Sequence, residues 1–322
     1  MTAAANHRFW IDVSLECVRR DHTEGPGDQT GPFRTARALG MALAAPYEVH
    51  ALATGRAPLL AVCAAQGFVE LKGAALEVAA CAACAELLTL RYPYQAALLN
   101  GEWLNWLSAS GHVAKYAAQE ALGRSVGKAI HALGADDARH AAGNMYSPSG
   151  LPYTHEAPPT QPGQTFAGAD WGSAARLVTT HVAGFPQPPG RMSATQVKAD
   201  SHYQADFARV VDKGSINSTS RTEDVEEFIG IAWGYDGPPK LGTPPRLYMQ
   251  AVLSVLDRLA QAPAGAPRLT LAEELEIIAG VGLAMAEAGI DAWHYKYAPT
   301  HMMWRPAVGV RKADPAHGTV PV

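Results

Sequence analysis

Charge is scarce in this sequence. Asp, Glu, Lys and Arg make up 17% of 322 residues, below the roughly 25% of an ordinary globular domain. A surface so short of charge is expected to be covered in part by another chain, in a homo- or hetero-oligomer. The 26 basic residues are scattered among 30 acidic ones, so no basic stripe forms for nucleic acid or anionic lipid to dock on. Nucleic acid is therefore not an expected partner. Cysteine is sparse too: Cys17, Cys63, Cys81 and Cys84 are too few to staple a chain this long, and their apolar settings predict reduced, packed thiols. No uninterrupted apolar run reaches the ~18 residues that suggest a membrane span, so none is expected. The opening "MTAAANHRFWIDVSLECVRR" lacks the layout of a secretory signal because Asp12 and Glu16 interrupt it. A cytoplasmic chain is the expectation.

Runs of alternating β-branched residues are also rare, whereas alanine-rich stretches with apolar residues three and four apart recur throughout. That pattern predicts an all-α protein, a multi-helix bundle. Helices are predicted over 7–20, 34–54, 73–90, 93–109, 112–133, 200–213, 221–234, 244–261 and 271–297. Ser220 with Glu223, and Thr270 with Glu273, have the spacing of capping boxes. Thr243 before Pro244 fits a capping residue followed by the first helical position, which tolerates proline.

Residues 145–199 break the pattern with Pro, Gly, Ser and Thr, yet carry Phe166, Trp171, Leu177, Val178, Val182 and Phe185. A free tether would lack those side chains, so a loop packed across the helices is expected. The predicted organisation is one α-helical domain over 1–322, with helices across 1–144, the packed loop across 145–199, and helices again across 200–322, where the candidate site lies.

Several motifs invite a functional reading and have a plainer one. Cys81 and Cys84 form a CxxC inside "LEVAACAACAELL" without a second pair or spaced histidines, which favours core thiols over a metal or redox site. In "DDARH", Asp136 and Asp137 stand one turn from His140, as an acid-base pair would need, but polar helix ends often look the same. Ser110, Gly111 and His112 in "SASGHVAKY" could cradle an oxyanion at a helix start; a helix junction is the favoured reading. No metal-ligand set is expected, and no catalytic residue is assigned.

The segment "WHYKYAPTHMMWRPAVGVR", residues 293–311, makes a sharper demand. It sets Lys296, His301, Arg305 and Arg311 among Trp293, Tyr295, Tyr297 and Trp304, with His294 beside them. An amine and a guanidinium converging on one point is a way to hold an oxyanion, because Arg supplies a planar fork of donors and Lys a point charge. A solvated basic helix end that neutralises its dipole accounts for the same composition.

"KYAPTHMMWRPAVGVR" resembles the first anion-binding motif, a Lys followed by Arg-Pro, of the vanadium-dependent haloperoxidase and type 2 phosphatidic acid phosphatase superfamily. The segments "GPFRTARALGMALAAPYEV", "MSATQVKADSHYQADFARVVDKGSINSTSRTEDVEEFIGIAW", "GTPPRLYMQAV" and "AEAGIDAWHYKY" follow the order of bacterial haloperoxidase-like members. The resemblance implies an all-α bundle that holds vanadate or phosphate, with Lys296 and Arg305 as anion donors and His301, Trp304 and Arg311 in support. In complete members a Pro-Ser-Gly-His loop and a later Arg and His finish the site. Bound vanadate there activates peroxide to oxidise halide, and in the phosphatases the same pocket takes a phosphoryl group. Those later motifs do not follow Arg305 in this sequence. The expectation is thus an N-terminal portion or subunit of a haloperoxidase-like enzyme, which a companion polypeptide completes and which binds vanadate only once completed. The alternative is a non-catalytic helical scaffold of the same descent.

One spacing departs from the family. Eight residues separate Lys296 from Arg305 here, against the usual six. At ~100° per residue an unbroken helix would turn the two side chains about half a turn apart. Their convergence requires the helix to break near Pro299.

Overall fold

Alanine and aliphatic residues at helical spacing form helices through most of the chain, as the periodicity predicts. The computed structural model describes residues 3–60, 68, 71–142, 146–158, 161–178, 193–214, 217–235, 237–263, 265–298 and 304–312. Its longer helices are α1 (Ala3–Asp21), α2 (Pro32–Thr54), α3 (Gly73–Arg91), α4 (Ala96–Ser110) and α5 (Ala117–Ala132). After the short α6 (Asp137–Ala141) and α7 (Ala194–Ala199) come α8 (Ser201–Gly214), α9 (Phe228–Trp233), α10 (Pro244–Ala260), α11 (Leu271–Tyr297) and α12 (Pro306–Lys312). There is no strand among the described residues, and one antiparallel bridge joins Leu60 to Val178. The protein is all-α.

The helix ends show which local signals were read correctly. At α11 the Thr270 N–H donates to Glu273 Oε2 at 2.7 Å and the Glu273 N–H donates back to Thr270 Oγ1 at 3.3 Å, the expected capping box. Ser220 does not cap. Its hydroxyl donates to Asp212 Oδ1 at 2.6 Å, and the following turn, Glu223–Glu227, is a π turn one residue longer than an α turn. The reciprocal carboxylate is accordingly four residues on, with Glu226 Oε2 accepting the Thr222 N–H at 2.9 Å. Thr243 stands at the N-cap of α10 without a side-chain cap bond. Pro245 has no N–H to offer, and the Arg246 N–H is taken by the Thr243 carbonyl at 3.0 Å.

The predicted helix over 112–133 starts only at Ala117. Gly111, with φ 70°, adopts the left-handed conformation that ends α4, and residues 112–116 form a turn. The short α6, α7 and α12 escaped the sequence reading because they complete too few turns to establish a period.

Cα packing divides the chain into two compact units. The first comprises Met1–Asp136, Ala175–His181 and Tyr235–Gly289. Within it α3 packs against α1, α2, α4 and α5. The α3–α5 crossing is close because Gly123 and Gly127 face Ala79 and Ala83; a Cβ on Gly123 would lie 2.0 Å from the Ala79 carbonyl oxygen. α3 is long and apolar enough to cross a membrane, but 61% of that stretch is buried, so its hydropathy serves this core. Glu48, on α2, is 0% exposed, and its Oε1 accepts N–H bonds from Leu59 at 2.8 Å and Leu60 at 3.2 Å. Burial pushes its carboxyl up to about 7 despite those bonds. Leu177 is buried in the same core, and Glu287 of α11 holds this segment by accepting from Arg176 at 2.9 Å and from the Leu177 N–H at 2.8 Å.

The second unit comprises Asp137–Ala174, Val182–Gly234 and Ile290–Val322. Its core cluster is Tyr153, Val197, Trp304 and Val308, with Ala194 and Tyr203 packed against it. Trp171 is also buried, at 1% exposure. The apolar residues expected to pack the long connection thus do so at Trp171 and Leu177; Val182 and Phe185 lie outside the described residues.

Candidate functional site

α11 stops at Tyr297 and Ala298 has already left the helix. Lys296 therefore sits in a last helical turn, whereas Arg305 lies in the non-helical stretch before α12. The half-turn offset of an unbroken helix does not apply. Pro299 itself lies outside the described residues.

Aromatic contacts fix both cations. Trp293 Nε1 and Tyr297 Oη each donate to the Ala167 carbonyl at 3.0 Å, tying the end of α11 to the long connection. The Lys296 ammonium stands 4.3 Å from the Trp293 ring centroid and 5.3 Å from that of Tyr297. Trp304, immediately before Arg305, packs 4.7 Å from the Tyr153 ring and donates its Nε1–H to Tyr203 Oη at 2.9 Å. Arg305 is exposed, and among the described residues it pairs with no carboxylate.

Between these anchors lies a residue that the sequence reading did not single out. His155 follows Tyr153 by two positions and is 7% exposed. Its ring is 5.3 Å from Tyr297, 5.6 Å from Phe166 and 5.9 Å from Tyr146, and Tyr146 Oη donates to the His155 carbonyl at 2.7 Å. Burial, with the charges of Lys296 and Arg305 acting in the same direction, lowers the imidazole to about 4. Both cations thus act on one neutral imidazole. Tyr297 is pushed up to about 12 by burial, against the opposing field of Arg305. Glu156, the nearest carboxylate in sequence, is engaged by Lys312 at 2.6 Å.

A guanidinium and an ammonium whose charges both reach one buried imidazole are groups suited to an oxyanion. The sequence hint for His155 was a histidine in a Pro- and Gly-rich connection among Tyr146, Tyr153 and Phe166. That hint is legible only once the loop is known to fold back on α11.

The remaining candidates separate clearly. Trp304 is a core residue that positions its neighbour. Arg311 is exposed near the end of α12, and His301 lies outside the described residues. His294 is exposed and backs onto Gly172, where a Cβ would meet the His294 Cα at 2.6 Å. Cys81 and Cys84 are buried free thiols, Cys84 pushed up to about 12 by burial. Cys63 lies outside the described residues. His140 Nδ1 bonds Asp170 Oδ2 at 2.7 Å, so its partner is a loop carboxylate instead of Asp136 or Asp137. Ser110 donates to the Trp106 carbonyl at 2.7 Å and His112 packs at a tilt against Trp106 and edge-on against Tyr116, which makes this segment a helix terminus and not an anion cradle.

No protein-family model matches the chain. A vanadium chloroperoxidase from Curvularia inaequalis is 26% identical over 365 aligned residues, covering 96% of this chain. The chain spans 58% of the length of that relative. A bacterial vanadium-dependent iodoperoxidase of known structure superposes with a TM-score of 0.69 over 95% of this chain and 72% of the other, at 18% identity. The chain is similar to vanadium haloperoxidases over nearly its whole length. Its all-α bundle is the haloperoxidase type of fold, in agreement with the resemblance read from residues 293–311 and the earlier helices.

Proposed function

We propose that Lys296 and Arg305 hold an oxyanion, vanadate or phosphate, and that the chain contributes this portion of a haloperoxidase-like site. The observation that carries the reading is that Lys296 and His155 both neighbour the Tyr297 ring and the charges of Lys296 and Arg305 both reach buried His155, with no carboxylate among the described residues paired to Arg305. The residues fit the group. Arg305 offers a planar fork of donors, Lys296 a compact charge, and Tyr146, Phe166 and Tyr297 limit water around the imidazole. In a completed site, bound vanadate would supply the activation of peroxide for halide oxidation; hydrolysis of a phosphoester is the related chemistry of the same donors. What this chain's residues do is bind and orient the anion beside the His155 imidazole.

Under this reading a companion polypeptide with Pro-Ser-Gly-His and Arg/His motifs completes catalysis, and this chain alone turns nothing over. Mixing the two and following bromide oxidation with vanadate and peroxide tests it. Turnover that needs both partners, and that falls at least tenfold in Arg305→Ala, is expected; a well-formed complex that stays inactive contradicts the reading.

A scaffold without anion chemistry is the second reading. The seat of Lys296 on Trp293 and Tyr297 favours it, because a cation–π contact stabilises the helix end without any ligand. Anion-dependent stabilisation of the fold separates the two readings.

A further inference from the structure

We infer that an oxyanion held by Lys296 and Arg305 is captured together with a proton on the His155 imidazole, so that its affinity rises as the medium becomes more acidic. This rests on the oxyanion reading above and adds a third, proton-dependent member to the site.

Ring contacts place Lys296 and the chain at Arg305 in the neighbourhood of His155. Lys296 and His155 share Tyr297 as a neighbour, with its centroid 5.3 Å from the Lys296 ammonium and 5.3 Å from the His155 ring. On the other side, the 4.7 Å contact of Trp304 with Tyr153 draws the chain at Arg305 toward the chain at His155. The titratable and charged groups around His155 are Lys296 and Tyr297 from α11, Arg305 from the stretch before α12, and Tyr146 and Glu156 from its own loop. Lys312 of α12 reaches the neighbourhood through Glu156, at 2.6 Å. Among the described residues no carboxylate bonds the His155 ring.

In the absence of an anion, two positive charges and an aromatic enclosure both oppose an imidazolium, in keeping with the value of about 4. An oxyanion between the cations reverses both effects. It cancels their repulsion and offers an oxygen to an N–H of the ring, which makes the imidazolium a charge-assisted donor. The proton comes from solvent, and no bond to the anion is formed or broken. Linkage then works both ways: the anion raises the proton affinity of His155, and the proton raises the affinity for the anion by the same factor.

The test uses the full chain and sulfate, a tetrahedral probe that stays a dianion throughout the range. Sulfate affinity measured by calorimetry from about pH 7 to about pH 5 should rise up to about tenfold per pH unit, the limit for one linked proton. His155→Gln should flatten that dependence. In the parent chain, the C2–H resonance of His155 should titrate at a clearly higher pH when sulfate is bound. This second measurement decides the matter if the variant does not fold. An undiminished slope in His155→Gln, or an unmoved His155 titration with sulfate bound, overturns the inference. If Lys296→Ala and Arg305→Ala still abolish sulfate binding in that case, the oxyanion reading survives. Absence of sulfate binding at every pH overturns both.

Discussion

Trp304 and Tyr153 pack with their ring centroids 4.7 Å apart and their planes inclined by 49°, and this contact holds the His155 loop against the segment that carries Arg305. Tyr153 adopts φ +67°, unusual for a residue with a side chain, and its burial at 1% exposure helps to keep it there. A feature of the core thus determines the electrostatics of the candidate site.

Trp304→Ala should cost about 3–5 kcal/mol, the usual range for a buried tryptophan. It should also release Arg305 from His155, so that the His155 titration moves from about 4 toward its ordinary value. Trp304→Phe should keep some of the packing and lose the bond to Tyr203. Urea unfolding with histidine NMR checks both effects; a large loss of stability with an unmoved His155 would uncouple the core from the site.

Glu48 gives a pH dependence with a definite sign. Its folded value, about 7, lies above the ordinary 4.5, so between those two the folded state keeps a proton that the unfolded state has lost. Stability therefore falls as pH rises from about 4.5 to about 7, by up to ~3 kcal/mol, and the cost persists above. Glu48→Gln keeps an oxygen for the Leu59 and Leu60 N–H groups. Its stability relative to the parent should be greater at pH ~8 than at pH ~5, and an equal difference at both would show that Glu48 does not titrate in this way.

His155 acts in the opposite sense. Its folded value, about 4, lies below the ordinary 6.5, so the unfolded state binds the extra proton between them. The anion-free chain should lose up to ~3 kcal/mol as pH falls from about 6.5 to about 4. His155→Gln should remove that share of the acid sensitivity, as read from denaturant midpoints across the range.

Two glycines on different helices should respond oppositely to alanine. A Cβ on Gly127 of α5 would lie 2.5 Å from the Ala83 carbonyl oxygen, whereas one on Gly101 of α4 meets nothing within 4 Å. Gly127→Ala should cost roughly 1–3 kcal/mol by forcing α3 and α5 apart. Gly101→Ala should stabilise by about 0.5–1 kcal/mol through helix propensity. Thermal melts of the pair check the crossing, and similar shifts in both would contradict it.

Sequence periodicity revealed the long helices because α3 and α11 repeat their apolar positions over several turns. The capping box of Thr270 and Glu273 was legible because it is local. Ser220 misled because the π turn changes the spacing from three residues to four, which composition does not announce. The spacing of Lys296 and Arg305 looked wrong for one face of a helix, and the end of α11 at Tyr297 removes that objection. His155 was illegible for a different reason. Its role depends on contacts with Tyr297 and on the Trp304–Tyr153 packing, which join positions more than a hundred residues apart, and no local pattern encodes such pairs.

The central claim is that Lys296 and Arg305 form an oxyanion site, and the most direct measurement is the melting temperature of the chain as phosphate, which these donors hold without a completing histidine, is titrated. A site filled at about a hundredfold excess over its dissociation constant stabilises by roughly 2.7 kcal/mol, a shift of several degrees. The account predicts that shift in the parent and its loss in Lys296→Ala and Arg305→Ala, each of which should remain folded. A parent that does not shift, or variants that shift as much as the parent, would contradict it.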